Sequence, residues 1–416
     1  MNHKGRKRKK MNSKISVPPR STLTLDFVDG DLNVGARAVV RGTGSPAAVK
    51  AGGTVYCEED VNFECSLSAR SLEAEGNITI HGDLIIEEDV EVSDGRLEVH
   101  GKMTANHIDV EEALYVSDDL TTDEVDVGGS LQVDGNVKAE DIDVGGSFRV
   151  KGESEIDNVD VGGSMHTESK INIRSLDVGG AARVHGGRIH DVDVGGSFES
   201  SAPLEFDKID VGGTVRLVGN SKGGNVDVGG TLRVEGDLTF EEIEVGGKVD
   251  ITGSGQGKEV EVGGRVDIGG SLKLSGDLEV GGKADVTGEV AVRNVDVGGT
   301  LRARKVTVET RVEVGGSLDA QEGTTAAFVE IGNRGEIRGP VRADEIVIGK
   351  DAHVDDVHGR RVVLRTGAQA SNVYGEDITI ESHCDVSGEV QYTNELRMGS
   401  DIRVARQPQK VAKLPS

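Results

Sequence analysis

The apolar positions of this chain recur with a fixed, uneven rhythm. From Val125 they fall at Val127, Leu131, Val133, Val137, Ala139, Ile142 and Val144. The steps from Val125 to Ile142 are 2, 4, 2, 4, 2 and 3, and at Ile142 the pattern restarts. A step of two keeps side chains on one face of a strand. A step of three or four carries the chain round a corner and returns the next strand to the same interior. The rhythm therefore predicts coils with three short strands, three corners and six inward side chains. It recurs at Ile209 to Val228, Val226 to Val245 and Leu278 to Val297. A helical solenoid would need steps of three and four without the intervening twos. The expected fold class is all-β: a parallel β-helix, or β-solenoid, of three-sided coils about 17 residues long.

A motif marks each copy. The tetrapeptide [DE]-V-G-G occurs twelve times, its first glycine at 128, 145, 162, 179, 195, 212, 229, 246, 263, 281, 298 and 315. Nine of the eleven intervals equal seventeen, one is shorter by a residue and one is longer by a residue. A fixed period of this kind signals stacked units that bury their apolar faces only against one another. Gly-Gly is expected at the first corner, and glycine recurs at a second one, at Gly135, Gly152, Gly186, Gly219 and Gly236. Positive φ is the expected reason for glycine at such corners. Around Leu176 one corner shortens, so that Val184 is followed by Gly187 and Ile189.

Residues 1–20 hold eight Lys or Arg and no acid, and read as a disordered basic tail. Residues 21–393 read as one continuous solenoid of roughly 22 coils, a rod of about 100 Å at the spacing of paired strands. Within it, 21–115 are irregular coils, 116–318 the regular array, and 319–393 coils without the Gly-Gly corner. Residues 394–416 read as a flexible tail.

Composition narrows the class further. With 60 Gly, no Trp and only 7 Phe and 4 Tyr, the interior must be aliphatic. No apolar run approaches the roughly 20 residues of a membrane span, and no secretory signal is visible. Cys57, Cys65 and Cys384 are too few and too scattered for a disulfide framework or a metal site, and read as stacked or exposed thiols. These features point to a cytoplasmic protein. The net charge of −26 argues against nucleic-acid binding by the body of the chain.

Candidate chemistry is sparse. The acid between the two valines of each copy, Asp126, Asp143, Asp160 and onward to Glu313, is expected to face outward and stack into a column. Neighbouring charges about 4.8 Å apart repel by roughly 0.9 kcal/mol in water, and concentrated salt screens this. A salt-rich cytoplasm suits such a column, and divalent cation binding along it is a second reading. The basic segment Lys4, Arg6, Lys7, Arg8, Lys9 and Lys10 could touch anionic membrane or nucleic acid by charge alone, unless Met11 is the true start. His81, His100 and His185 occupy equivalent places and are expected to face solvent. No cofactor motif is present.

Uninterrupted coils between two tails, with Val-x-Gly and Ile-Gly coils recurring through Ile346 to Tyr392, resemble the bactofilin-type polymer-forming cytoskeletal proteins. The resemblance covers most of residues 75–393. It implies a non-enzymatic structural protein that polymerises end to end with itself, through head-to-head contacts, beside other cytoskeletal or envelope-associated proteins. Open strand edges must be paired or capped. Leu23, Leu25 and Phe27 in the first coil and Val386, Val390 and Tyr392 in the last are the expected assembly contacts. A rigid scaffold that binds other proteins without polymerising is the alternative. A lesser one is a hexapeptide-repeat-type acyltransferase, which the Ile331-Gly-Asn-Arg and Ile348-Gly-Lys-Asp coils resemble.

Overall fold

The computed structural model describes residues 14–415, which fall into two compact units divided between Glu199 and Ser200. Both are parallel β-solenoid, and the described residues contain strands but no helix.

In the first unit one coil runs through the strands Glu124–Val127, Ser130–Val133 and the opening half of Val137–Val144. Each pairs in parallel with its equivalent in the next coil: Val125 with Ile142, Leu131 with Phe148, Val137 with Ser154. The six positions expected to point inward do so. Val125, Val127, Leu131, Val133, Val137 and Ala139 are all buried, as are Ile142 and Val144 of the next coil. Two corners break the strand, whereas the third is a single residue, Glu140, skipped between Ala139 and Asp141. The shortened corner near Leu176 preserves register as expected, because Ile171 pairs with Gly187 and Ile173 with Ile189. The second unit repeats this plan, with Val226 on Ile243 and Leu232 on Val249.

Glycine at the corners has the expected cause at three of the positions and a different one at the rest. Gly186, Gly219 and Gly236 do have positive φ, at 124°, 86° and 146°. Gly135, Gly152 and the Gly-Gly pairs lie outside that region. At the Gly-Gly corners the constraint is the coil below. A Cβ on Gly145 would lie 2.3 Å from the carbonyl oxygen of Gly128, and one on Gly281 2.4 Å from that of Gly263. The backbone at this corner stacks too closely for any side chain.

The second unit also carries two shape pairs across coils. A Cβ on Gly223 would meet the Phe206 ring at 2.2 Å, and one on Gly257 the Phe240 ring at 2.3 Å. Each phenylalanine fills the space that the glycine of the next coil leaves open, the interdigitation that dense interiors require.

The coils extend past both boundaries expected from the motif. Ile15–Val17 pairs with Leu32–Val34, so residues 15–17, assigned to the basic tail, belong to the first coil. At the other end Arg403–Val404 pairs with Asp385–Val386, and Gln409–Lys410 with Gln391–Tyr392. Part of the expected flexible tail is therefore another coil. The three cysteines are buried rather than exposed. Burial pushes the Cys57 thiol up strongly and the Cys65 thiol up to about 11, so neither is a ready nucleophile.

Candidate assembly edges and charged faces

A strand inside the stack has a parallel neighbour on each side. The first described strands do not. Among the described residues Ile15–Val17 pairs only with Leu32–Val34, Thr22–Thr24 only with Val39–Arg41, and Phe27–Val28 only with Lys50–Ala51. Leu23 and Leu25 are half-buried here, and Phe27 is 56% exposed. Among the described residues, this side of the coil has no strand and no helix over it. The three N-terminal residues singled out from the sequence thus lie together on an apolar strand edge.

The C-terminal set is placed differently. Val386 and Val390 are buried, and Val404 and Lys410 stack over Val386 and Tyr392. The terminal edge is one coil further on. It consists of the outer sides of Glu395–Met398, Arg403–Val404 and Gln409–Lys410, each paired on one side only among the described residues. Leu396 and Val404 are half-buried there, and Met398 is 44% exposed. The sequence signal for this last coil was weak because two of its strands span only a residue pair and it lacks the Gly-Gly corner.

The outward acids do form columns, longer than the motif alone indicates. In the first unit Glu73, Glu91, Asp109, Asp126, Asp143, Asp160, Asp177 and Asp193 are in consecutive register. In the second unit the column runs from Asp210 through Glu279 and Asp296 to Glu330. Burial, then the charges of Asp126 and Asp160, push the Asp143 carboxyl above its ordinary value. Burial with Glu261 and Asp296 does the same to Glu279, and burial with Asp160 and Asp193 to Asp177. Among the described residues no three His, Cys, Asp or Glu side chains converge as a metal site.

Lys208 pairs with Asp210 and Arg311 with Glu313 and Glu330 at the ends of the second column, but Glu261, Glu279 and Asp296 have no ion pair with any described residue, and the next face of those coils is organised oppositely. Asp250, Asp267 and Asp285 stack in register, but Lys248 bridges Asp250 and Asp267 at 3.1 and 2.9 Å. Arg265 bridges Asp267 and Asp285 at 2.7 and 3.1 Å, and Lys283 also contacts Asp285. Burial alone would raise Asp267, but hydrogen bonds from Lys248 and Arg265 outweigh it and hold the carboxyl below its ordinary value.

His81 and His100 face solvent as expected, and stack on each other with ring centroids 5.1 Å apart. His358 stacks on Tyr374 at 4.5 Å, and burial pushes it below the ordinary histidine value. No period in the sequence marks that pair.

No known protein family, curated protein or solved structure matches the chain. The membrane-contact residues Lys4, Arg6, Lys7, Arg8, Lys9 and Lys10 lie outside the described residues. Among the described residues, no helix is long and apolar enough to cross a membrane.

Proposed function

We propose that this chain is a structural, polymer-forming protein of the cytoskeletal or scaffold kind, self-associating end to end through its β-solenoid and catalysing no reaction. The observation that supports the reading most is the pair of open terminal edges. Each offers backbone N–H and C=O groups that are unpaired among the described residues, beside exposed apolar side chains, Phe27 on one and Met398 on the other. An edge of this kind is a template for another strand. The resemblance to bactofilin-type proteins points the same way.

Electron microscopy of the purified full chain in negative stain tests the proposal. Filaments many molecules long are expected. Single particles at every protein concentration would overturn polymerisation and leave a rigid scaffold, whose acidic and ion-paired faces would then be its binding surfaces.

A further inference from the structure

The first and last described coils turn their first corner in the same way. At the N-terminal end this corner holds Arg20 and then Arg37 in the left-handed region, with φ of 57° and 60°. At the C-terminal end it holds Arg334, Asp351, His383 and Asp401, with φ of 60°, 55°, 64° and 55°. Wherever the next coil repeats the corner, the N–H of this residue donates forward, to the carbonyl just before its equivalent. Arg20 donates to Ala36 at 2.9 Å, Arg334 to Lys350 at 2.7 Å and His383 to Ser400 at 3.0 Å. Asp401 ends the series. Among the described residues its N–H has no carbonyl ahead of it, and the carbonyl of Pro19, just before Arg20, has no N–H behind it.

The strand edges are complementary in the same sense. Inward residues aim their backbone groups at the following coil: Val17 accepts from Gly35 at 2.9 Å, Ile380 from Gly399 at 2.8 Å and Val386 from Ala405 at 2.9 Å. Backbone groups alternate in direction along a strand, so outward residues aim theirs at the preceding coil. The open groups of the N-terminal edge therefore belong to outward residues such as Ser16 and Thr22, and those of the C-terminal edge to inward ones such as Leu396 and Val404. Both end coils also start in the same column of their own unit, the one that carries the Asp-Val-Gly-Gly motif. Ser16 is in register with Asp126, and Arg397 with Asp296. The exposed corners match in charge. Arg20 follows the first strand where the last coil has Asp401, and Asp26 follows the second where the last coil has Arg406. Asp29 follows the third strand where the last coil has Lys413. Two C-terminal coils face to face would instead set Arg403, Arg406, Lys410 and Lys413 against their own copies.

Resting on the end-to-end assembly proposed above, we infer that copies join head to tail, the N-terminal coil of one stacked on the C-terminal coil of another. Ile15–Val17 then lies over residues 395–398, Thr22–Thr24 over Arg403–Val404 and Phe27–Val28 over Gln409–Lys410. The N–H of Asp401 donates to the carbonyl of Pro19 in the other copy. The contact is one more parallel coil step of about 4.8 Å, outward row against inward row as between any two coils of one chain. It is heterologous, so each addition leaves one free edge of each kind and the assembly grows with a direction. The head-to-head contacts that the resemblance implies would set like edges together and give no direction.

Edge-blocked variants of the full chain, mixed in pairs, test the direction. Leu23 and Met398 occupy inward positions on the open edges, in register with Val40 and Ile380 of their own chain. A lysine at either keeps its ammonium in solvent in the free chain and would bury it in the contact. In sedimentation velocity the wild-type chain should form large species. Leu23→Lys alone and Met398→Lys alone should each run as single chains with unchanged circular dichroism, and their equimolar mixture as a particle of twice the mass. If each variant alone forms a dimer, like edges pair, and the inference falls while end-to-end assembly stands. A mixture that stays single, or a variant that polymerises by itself, also overturns it. A wild-type chain that stays single overturns both readings. A disulfide reads the same contact without touching the interior. Ser16 and Arg397 are exposed and come into register in the contact, at a separation a disulfide spans. Oxidation of Ser16→Cys mixed with Arg397→Cys should give a covalent dimer that neither variant gives alone, and no such dimer would contradict the head-to-tail register.

Discussion

Two adjacent faces of the same coils in the second unit solve the problem of stacked acids in opposite ways. On one, Glu261, Glu279 and Asp296 stack without a cation from any described residue, and Glu279 is held above its ordinary value. On the other, Asp250, Asp267 and Asp285 stack at the same spacing, yet Lys248, Arg265 and Lys283 thread between them. The backbone is equivalent on both faces, so the difference lies in the preceding side chain on the same face of the strand. Before Asp250, Asp267 and Asp285 the strand places Lys248, Arg265 and Lys283 two residues upstream, whereas before Glu261 and Glu279 it places Glu259 and Asp277. A solenoid copies any local choice into a column. One face thereby becomes an ion-pair ladder and the other an unscreened strip of charge.

Both columns depend on the close coil spacing, which gives the largest expected effect. Gly281→Val would force a side chain onto the Gly263 carbonyl oxygen, 2.4 Å from the Cβ position. A loss of about 3 kcal/mol or more is expected, read as a lowered urea midpoint. A smaller effect follows from converting one face into the other. Replacing Lys248, Arg265 and Lys283 together by Gln leaves Asp250, Asp267 and Asp285 facing one another. The melting temperature should fall by a few degrees at low salt, and added KCl should restore part of the loss. The reverse change, Glu261→Gln with Glu279→Gln and Asp296→Asn, should raise the melting temperature modestly and flatten its dependence on KCl. Equal KCl dependence in this variant and the wild type would remove the distinction between the faces.

The smallest effect is on pH, and its sign differs between faces. A carboxyl raised in the folded state, such as Glu279, Asp143 or Asp177, costs stability once ionised in both states. That cost disappears as pH falls through the raised value towards the ordinary 4.5 of Glu279 or 3.8 of the aspartates. Asp267 is lowered, so its contribution is complete above the ordinary 3.8 and is lost below it. Stability should therefore rise slightly on mild acidification from neutrality and fall once pH drops below 3.8. The triple neutralised variant should lose most of the second unit's share of the initial rise.

Much of the interior was legible in the sequence because inward positions repeat every coil. The spacing from Val125 to Val144 placed each strand, each corner and the outward column of acids. What escaped were features that depend on the neighbouring coil rather than on the coil itself. The Gly-Gly pairs are glycine because of a carbonyl in the preceding coil, as between Gly145 and Gly128. Phe206 with Gly223 and Phe240 with Gly257 are complementary only when stacked. The end coils were shortened for a similar reason: Ile15–Val17 and Arg403–Val404 lack the motif and are recognisable by pairing alone. The C-terminal edge expected at Val386, Val390 and Tyr392 therefore lies one coil short of the terminal one. Val390→Asp would bury a charge in the core and unfold the coil before it could report on assembly.

The edges themselves offer a cleaner test. Phe27 and Met398 are exposed, so Phe27→Asp combined with Met398→Asp should leave the fold intact and place charge on both terminal edges. Sedimentation velocity over a range of concentrations then reads assembly directly. The wild-type chain should sediment as large species that grow with concentration, and the double variant as one small species with unchanged circular dichroism. Identical sedimentation of the two proteins would contradict end-to-end assembly through these edges.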